Sequence, residues 1–477
     1  MKDKSEAEVV LRDAKPDGGY GWIVCCGTFI VNFVVFGIHN SFGVVYVNLL
    51  DDLDLGEMQT AWIGAMAMGL NFFFGPITSA LCDRFGCRIV SFAGALLSVL
   101  GLFLTSFIQE VNKMYVTYGL VWGIGSSFAF VSSIVVLGQY FDRKLALANG
   151  IATSGSGVGS LVAGPVINYL LQTVGWKNSM RILSAIALLL WIAALFFKPR
   201  ESHQDIMERK MNSKLFDTSI WKNKAYVLWV STVALFQFGY LVPFVHLVKY
   251  AEDLGVPKSQ GAWLIGFLSI TSTVGRVFFG KISDLKFVNR LYMYQFSIFA
   301  IGLTTLLCPL TSNYAGLVSY ALIFGFFDGC FVGQVAVITA DVVGHEKLSQ
   351  AVGNMFGTLA IPMSLGPPLA GWLHEGFGSY DGAFYIAGSV AVFSSLLLFG
   401  VDRMIRSQFK ASRLVEHRET KNNASLISGD NDNSSPYDYG YKDTESQPML
   451  EDECSSTHFN RLKISEFLMF SDRETVL

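Results

Sequence analysis

Two stretches of this sequence decide its fold: AWIGAMAMGLNFFFGPITSALCD (Ala61–Asp83) and AWLIGFLSITSTVGRVFFGKISD (Ala262–Asp284). Both are largely apolar, both begin with Ala-Trp, and both end in an aspartate 21 residues after the tryptophan. They lie 201 residues apart, and a second pair, LALANG (145–150) and LSQAVG (348–353), recurs at an offset of 203 residues. The steady offset indicates an internal repeat and therefore two similar halves.

The composition is typical of a protein embedded in a lipid bilayer. Of the 477 residues, 52% are hydrophobic and only 15% are charged, whereas soluble proteins have about a quarter charged residues. A helix needs about 20 apolar residues to cross a bilayer. Twelve stretches meet that need: 22–49, 60–82, 88–108, 113–140, 145–172, 178–198, 225–250, 260–284, 290–310, 313–343, 348–374 and 379–402. We expect an all-α integral membrane protein of twelve transmembrane helices in two pseudo-symmetric six-helix halves. The net charge of −3 offers no basic surface for nucleic acid.

Polar segments divide the predicted bundles. The predicted organisation is a cytosolic N-terminal segment (1–21), a six-helix bundle (22–198), a cytosolic central loop (199–224), a second six-helix bundle (225–402) and a disordered cytosolic tail (403–477). Most Lys and Arg residues fall on the side of the N-terminus. The other side holds only Lys113, Lys177, Arg181, Lys249 and Lys258. Because cytosolic loops are enriched in Lys and Arg, both termini are expected in the cytosol.

The loop after the second helix, CDRFGCR (82–88), carries an aspartate and two arginines around a glycine. It resembles the loop signature of major facilitator transporters, whose architecture is two six-helix halves around an axis normal to the membrane. An acid and a base at such helix ends can clamp neighbouring helices, and the clamp must break and re-form when the halves move. The expected gating residues are Asp83, Arg84, Arg88, Arg143 and Asp284.

Two further motifs resemble the signatures of the monocarboxylate transporter family. PDGGYGW (16–22) precedes the first helix, where we expect Asp17 to cap the helix N-terminus. YFDRKLALANGIATSGSGVG (140–159) opens the fifth helix. The resemblance covers roughly residues 16–405 and implies a major facilitator fold and transport of small carboxylates or amino acids. The signature residues are Asp17, Gly18, Gly19, Tyr20, Gly21, Trp22, Tyr140 and Gly150.

Other stretches resemble the family's thyroid-hormone and aromatic-amino-acid transporters. They are FGIHNSFGV (36–44), YLVPFVHLVKY (240–250) and FGFFDGC (324–330). In that subgroup histidines of the first and seventh helices, an arginine of the eighth and an aspartate of the tenth serve the transport site. These roles fall on His39, His246, Arg276 and Asp328. Asn40 aligns with a lysine of the proton-coupled lactate carriers, so we also expect it among the substrate-binding residues, but its neutral amide argues against their mechanism.

Arg276 and Asp328 stand out physically as well. Arg276 lies eight residues before Asp284, about 12 Å along a helix from the expected cytosolic end. Asp328 is the only carboxylate between Tyr314 and Ala340. Charges at such depth need a partner, so we expect the two to pair. Either the pair is fixed and only holds helices together, or it switches, with Arg276 binding a substrate carboxylate in one state and Asp328 in the other.

The sequence therefore predicts a plasma-membrane secondary transporter and not an enzyme, with no cofactor or metal. Its cargo would be an aromatic amino acid, thyroid hormone or a related carboxylate, moved by alternating access without Na⁺. One alternative is a proton-coupled monocarboxylate symporter in which the Arg276/Asp328 pair takes up the proton. Another is a transport-inactive scaffold held by a PDZ domain, since Thr475 and Leu477 form a PDZ-ligand-like C-terminus. An ancillary glycoprotein subunit is compatible with each.

Overall fold

The protein is all-helical in its described residues. The computed structural model describes residues 17–53, 57–199, 218–285, 287–311, 313–344, 347–377 and 379–428. Helices account for nearly all of them, and these residues contain no strand. The expectation of an all-α protein is thereby confirmed. The chain divides into two units, Met1–Phe399 and Gly400–Leu477, and both repeat halves lie almost entirely within the first.

The first half consists of helices that follow one another closely. They are α1 (Gly21–Asn40), α2 (Phe42–Leu53), α3 (Glu57–Phe73), α4 (Gly75–Phe85), α5 (Cys87–Thr105), α6 (Val111–Met114), a π-helical segment (Tyr115–Trp122), α7 (Gly123–Tyr140), α8 (Leu145–Ala187) and α9 (Leu189–Phe196). The second predicted span is bent by 46° between Trp62–Phe73 and Gly75–Phe85. Pro76, at the start of α4, lacks the N–H that would continue the helix, so it accounts for the bend.

The second half repeats this order. After a 3₁₀ turn (Thr218–Lys222) come α10 (Lys224–Tyr240), α11 (Val242–Asp253), α12 (Lys258–Ser283), α13 (Arg290–Leu307), a 3₁₀ turn (Cys308–Leu310), α14 (Tyr314–Val343), α15 (Leu348–Phe377) and α16 (Asp381–Ser428). The first span of each half is broken at an equivalent place, at Ser41 between α1 and α2 and at Leu241 between α10 and α11. Pro243 accounts for the second break.

The long apolar helices match the predicted spans in most places. Among the described residues, nine helices are long and apolar enough to cross a membrane, or ten if the bent pair counts as one span. One of the nine, Leu145–Phe196, has 52 residues and covers two predicted spans. Gly175 has non-helical φ and ψ of 75° and 167° within it, which marks the junction. The number twelve also requires α15, which is not among the nine, so it stays a prediction.

The last helix extends past its predicted end at 402 and continues to Ser428. Residues 403–428 were expected to belong to the disordered tail, but they contain neither Gly nor Pro before the helix ends, and such a polar stretch can continue a helix already nucleated in an apolar span. The rest of the tail, 429–477, lies outside the described residues, as do 1–16 and most of the central loop, 200–217.

The two halves pack against each other through equivalent helix pairs. Helix α4 packs on α15, and α12 packs on α8. Glycines make both contacts close. A Cβ on Gly353 would lie 2.6 Å from the carbonyl oxygen of Gly75, and one on Gly150 would overlap the carbonyl oxygen of Arg276. These are the positions that the sequence repeat relates to each other, so the repeat in sequence is a repeat in structure.

Candidate functional site

Arg276 lies at the centre of the contact between the halves. It sits on α12 and is 7% exposed. On one side Gly150 lets α8 approach its backbone. On the other, a Cβ on Gly329 of α14 would lie 2.5 Å from the backbone nitrogen of Arg276. Only glycine permits such approach, so two glycines fix Arg276 between helices of both halves.

The guanidinium of Arg276 is bonded across the interface. Nη1 donates to the carbonyl oxygen of Thr153 at 2.5 Å and to the hydroxyl of Ser156, both on α8 of the first half. Nη2 lies 3.9 Å from Oδ2 of Asp328. Nε is buried and has no hydrogen-bond partner among the described residues. The structure thus brings Arg276 near Asp328, as expected, but its hydrogen bonds go to the other half.

Asp328 receives its hydrogen bonds from two hydroxyl groups. It lies on α14 and is 1% exposed. The hydroxyl of Tyr240 donates to Oδ1 at 2.7 Å, and that of Ser272 donates to Oδ2 at 2.5 Å. Because each oxygen accepts a hydrogen bond from a hydroxyl group, the carboxylate is stabilised without a hydrogen bond from Arg276. The arrangement differs from a closed ion pair.

One face of α8 connects Arg276 to a second predicted residue. Asn40 donates through Nδ2 to the hydroxyl of Ser160 at 2.9 Å. That hydroxyl donates to the carbonyl oxygen of Ser156 at 2.8 Å, and Ser156 accepts from Arg276. Asn40, Arg276 and Asp328 therefore belong to one connected group of polar side chains.

The two predicted histidines have other neighbours. His39 is buried in the first half, where Nε2 lies 3.1 Å from the hydroxyl of Ser126 and the ring lies 5.1 Å from that of Trp122. His246 on α11 lies 4.9 Å from the ring of Tyr380. These contacts each stay within one half and do not involve Arg276 or Asp328. The role of both histidines in binding stays a prediction.

A cluster of phenylalanines also bridges the halves. Phe36, Phe72 and Phe130 of the first half have ring centroids 4.9 to 6.2 Å apart. Phe356 of α15 packs on Phe72 at 5.7 Å and on Phe130 at 5.4 Å. These four could not be singled out from the sequence, because the chain has 39 phenylalanines.

At one end of the bundle, which we call the latch end, two aspartates bond across the interface. Asp83, at the end of α4, accepts a hydrogen bond from Nε2 of Gln350 on α15 at 2.6 Å. Asp284, at the end of α12, accepts from the backbone N–H groups of Ala146 and Leu147 on α8 at 3.3 and 2.9 Å. The contacts of Asp83 and of Asp284 are equivalent in the repeat, so the latch has two matching parts.

Asp284 is also held by Arg290. Nη2 of Arg290 lies 3.3 Å from Oδ1 of Asp284, and Nη1 of Arg290 lies 3.1 Å from Oδ1 of Asp341. Burial raises the pKa of Asp284 from 3.8 to about 6, although the N–H of Leu147 and the charge of Arg290 act in the opposite direction.

The repeat also relates two residues of the latch end that the sequence analysis did not name. Arg290 follows Arg88 by 202 residues, and Gln350 follows Leu147 by 203. The repeat offsets could therefore have identified both residues, which the sequence reasoning missed.

The other predicted gating residues do not cross the interface in the contacts that we observe. Arg84 lies over the ring of Phe85 at 5.8 Å, and Arg88 lies over that of Phe92 at 5.9 Å. Arg143 is exposed in the turn before α8. The gating role of these three residues stays a prediction.

The two signature motifs contact each other. Oδ1 of Asp17 accepts from the backbone N–H groups of Asp142 and Lys144 at 2.7 and 3.2 Å. The expectation that Asp17 caps the first helix was wrong, since α1 begins after Tyr20 without a side-chain cap. The chain at Asp17 and Gly19 has positive φ, 46° and 56°, and this turn directs the carboxylate away from α1 toward the loop before α8.

Aromatic packing completes this contact. Trp22 packs edge-on against Phe141 at 5.1 Å, and Tyr20 lies 6.1 Å from Tyr140. A Cβ on Gly21 would come within 3.0 Å of the ring of Phe141. Gly18 completes the turn, and its carbonyl oxygen accepts from the N–H of Gly21. The PDZ-ligand-like residues Thr475 and Leu477 lie outside the described residues.

Comparison with known proteins agrees with the fold. The model of the Major Facilitator Superfamily matches residues 28–294 and 227–430. Monocarboxylate transporter 10 of Danio rerio is 38% identical over 418 residues, which cover 85% of this chain and 83% of that protein. Monocarboxylate transporter 10 of Homo sapiens is 38% identical over 78% of this chain and 76% of its own length. Monocarboxylate transporter 12 of Xenopus laevis is 31% identical over 81% of this chain and 90% of its own length.

Solved structures show the same architecture at low sequence identity. The crystal structure of the human organic anion transporter MFSD10 (TETRAN) aligns with a TM-score of 0.64 at 10% identity, over 80% of this chain and all of that one. The fucose:proton symporter FucP of E. coli aligns with a TM-score of 0.62 at 13% identity, over 78% of this chain and 97% of its own. These likenesses confirm the expected fold class.

Proposed function

The chain belongs to the monocarboxylate transporter family of the Major Facilitator Superfamily, and from that premise we propose that it moves aromatic amino acids, thyroid hormone or related carboxylates across the plasma membrane. As a member of this family it is a multi-pass membrane transporter and not an enzyme. Transport would proceed by alternating access without Na⁺, with both termini in the cytosol.

The proposal rests on the guanidinium of Arg276, which is only partly hydrogen-bonded. Arg276 is buried at the interface of the halves, yet Nε has no hydrogen-bond partner among the described residues and Nη2 has only a 3.9 Å contact. A planar guanidinium binds a carboxylate through two parallel N–H groups. In the first half the repeat places Gly75 at the same position. One cation without a counterpart suits a cargo with a single carboxylate.

Cross-half contacts at the latch end support alternating access. The bonds of Asp83 and Asp284 to the opposite half close this end of the bundle, and Asn149 adds a bond from Nδ2 to the carbonyl oxygen of Gly333 at 2.8 Å. Arg276 lies about 12 Å deeper than Asp284 along α12. A cargo that reaches Arg276 would therefore enter from the opposite end, which the distribution of Lys and Arg assigns to the outside.

The phenylalanine cluster at the interface favours aromatic cargo. Phe36, Phe72, Phe130 and Phe356 present rings from both halves. Aromatic pairs in offset or edge-on geometry contribute about 0.5–1.5 kcal/mol beyond burial of their area. A ring that joins this cluster could contact both halves at once, so the cluster suits a ligand that is bound between them.

Uptake in a cell line without endogenous carriers would test the proposal. Wild type should take up labelled tyrosine, tryptophan or thyroid hormone in preference to lactate and independently of Na⁺. Arg276→Lys should lower uptake about tenfold or more, because an ammonium cannot form the two parallel bonds. Asp328→Asn should lower the maximal rate, because Arg276 then has no carboxylate to pair with after the cargo has left. Arg181→Lys, near the ring of Phe107, is the matched control.

Normal uptake by both Arg276→Lys and Asp328→Asn at normal surface expression would contradict the proposal. Surface biotinylation in the same cells tests the plasma-membrane location. Lactate uptake that rises steeply at acidic outside pH would instead indicate proton-coupled symport, in which the Arg276/Asp328 pair takes up the proton. Absence of flux for every cargo would indicate the PDZ-held scaffold.

A further inference from the structure

We propose that Tyr240, together with Ser272, is a positioning residue for substrate binding: it keeps Asp328 from closing onto Arg276 and so leaves one edge of the guanidinium to the substrate's carboxylate. This inference rests on the function proposed above. The hydroxyl groups of Tyr240 and Ser272 donate to Oδ1 and Oδ2 of Asp328, at 2.7 and 2.5 Å. Nη2 of Arg276 stays 3.9 Å from Oδ2, which is beyond hydrogen-bond distance.

The edge of the Arg276 guanidinium that has no hydrogen bonds among the described residues is formed by Nε and Nη2. Nη1 is used by Thr153 and Ser156 of the first half. The N–H groups of Nε and Nη2 point in the same direction and form the fork that matches a carboxylate. Nε is buried and has no partner among the described residues. An unpaired buried N–H is costly, so this edge is where an anionic ligand would gain most.

Asp328 is the internal competitor for that edge. Its Oδ2 already lies on the Nη2 side of the guanidinium at 3.9 Å. A shift of about 1 Å would turn this contact into a charge-assisted hydrogen bond, which is shorter and stronger than a neutral one. The hydroxyl groups of Tyr240 and Ser272 oppose that shift, because moving the carboxylate by about 1 Å would stretch the bonds that they donate to it.

The position of Tyr240 explains how its hydroxyl group can hold the carboxylate of Asp328 in place. It is the last residue of α10, next to the break at Leu241 that separates α10 from α11. Its ring packs on Phe236, Phe244 and Phe331 at 5.6, 5.3 and 5.0 Å. Packing on three rings fixes the direction of the hydroxyl group toward α14, where Asp328 lies.

The first half also has a polar side chain at the equivalent break, although it bonds to a helix that the repeat does not relate to α14. Asn40 stands 200 residues before Tyr240, at the break between α1 and α2. It donates to Ser160 on α8, as Tyr240 donates to Asp328 on α14. In each half, the break in the first helix therefore carries a polar side chain that bonds to the central polar group. The half that carries the acid has a tyrosine there.

Removal of the hydroxyl group should weaken substrate binding without abolishing turnover. In Tyr240→Phe the ring packing remains, but Oδ1 of Asp328 loses its donor and the carboxylate closes onto Arg276. The KM for the transported amino acid or hormone should then rise about tenfold, whereas the maximal rate should stay within about twofold of wild type. Tyr226→Phe is the matched control, because Tyr226 lies on the same helix and its hydroxyl donates to the carbonyl oxygen of Ala351 at 2.8 Å.

A double-mutant cycle separates positioning from packing. In the Asp328→Asn background no carboxylate can capture Arg276, so adding Tyr240→Phe should leave the KM nearly unchanged. A merely structural role of Tyr240 would raise the KM equally in both backgrounds. Ser272→Ala acts on the other oxygen of Asp328 and should give the same pattern. It replaces Tyr240→Phe in the cycle if that variant does not reach the cell surface.

Three results would overturn the inference while the proposed function stands. They are a wild-type KM in Tyr240→Phe, an equal rise in Tyr226→Phe, and an equal rise when Tyr240→Phe is added to Asp328→Asn. In each case wild type would still transport and Arg276→Lys would still be impaired. If wild type moves none of the labelled cargoes, the proposed function fails and this inference fails with it.

Discussion

Gly150 allows the two halves to approach closely at Arg276. A Cβ at this position would overlap the carbonyl oxygen of Arg276, and a backbone atom cannot move aside as a flexible side chain can. Gly150→Ala should separate α8 from α12 and lower uptake about tenfold, since overpacking of this kind costs about 1–3 kcal/mol. Initial uptake rates, normalised to surface-biotinylated protein, would measure the effect.

A second glycine on the same helix provides the control. A Cβ on Gly164 would lie 3.8 Å from the hydroxyl of Ser41, which is ordinary contact. Gly164→Ala should therefore keep near-normal uptake. An equal loss in both variants would mean that α8 tolerates no alanine for reasons unrelated to the contact with Arg276.

Single residues also show what sequence reasoning could reach at the site. Arg276 and Asp328 were recognisable because charges are rare inside membrane helices, and Asn40 was recognisable from its alignment. Tyr240 and Ser156 were not, because hydroxyl side chains are common in such helices and only the packing of α8, α12 and α14 shows which of them point at a charge. The 3.9 Å gap between Arg276 and Asp328 was equally beyond sequence.

At the scale of helices, the bond between the end of α12 and the start of α8 should depend on pH. In the closed latch burial raises the pKa of Asp284 from 3.8 to about 6, whereas in an open latch the carboxyl group would meet water and titrate near its usual value. Protonation therefore favours the closed latch. Closure should be strongest at acidic pH and weaken as pH rises through about 6, by at most about 3 kcal/mol.

Spin labels can measure this equilibrium. Phe85, the last residue of α4, and Phe287, between α12 and α13, are exposed in opposite halves at the latch end. Distances between labels at Phe85→Cys and Phe287→Cys should shift toward the short population when pH falls from 7.5 to 5. Asp284→Asn should flatten the profile, and Asp83→Asn should keep it. An unchanged profile in Asp284→Asn would rule out this carboxyl group as the cause.

Helices were predicted well where they are long and apolar, and less well where they break. The spans and the two halves follow from hydrophobic length and from the repeat. The breaks at Ser41 and Leu241 and the continuation of α16 to Ser428 were not predicted. At these places the outcome depends on tertiary packing as well as on local helix propensity. The sequence shows the propensity but not the packing. Pro243 was the one available signal.

At the scale of the whole molecule, alternating access requires the halves to move as bodies. Ser349 on α15 donates to the carbonyl oxygen of Ser79 on α4 at 3.3 Å, across the interface at the latch end. In a background with the seven native cysteines replaced by serine, a disulfide between Ser79→Cys and Ser349→Cys should abolish uptake. A reducing agent should restore it, because only the closed latch is compatible with the bond.

A matched pair at the same depth tests whether the halves are rigid. Thr78 on α4 and Ser127 on α7 have hydroxyl oxygens 3.2 Å apart within the first half. A disulfide between Thr78→Cys and Ser127→Cys should leave uptake intact, because these helices keep their contact throughout the cycle. Loss of uptake in this second pair would show that the half itself must rearrange.

Helix α8 bonds to both Asp284 and Arg276. The N–H of Leu147 donates to Asp284 near the start of the helix, and the hydroxyl of Ser156 accepts from Arg276 nine residues further along, about 14 Å along the axis. No proline interrupts the stretch, since the first one in this helix is Pro165. A carboxylate that binds the Nε/Nη2 edge of Arg276 would act on α8 through the bond between Nη1 and Ser156, and α8 is also the helix to which Asp284 is bonded. If Arg276 binds the cargo and Asp284 closes the latch end, one helix would couple the two events directly.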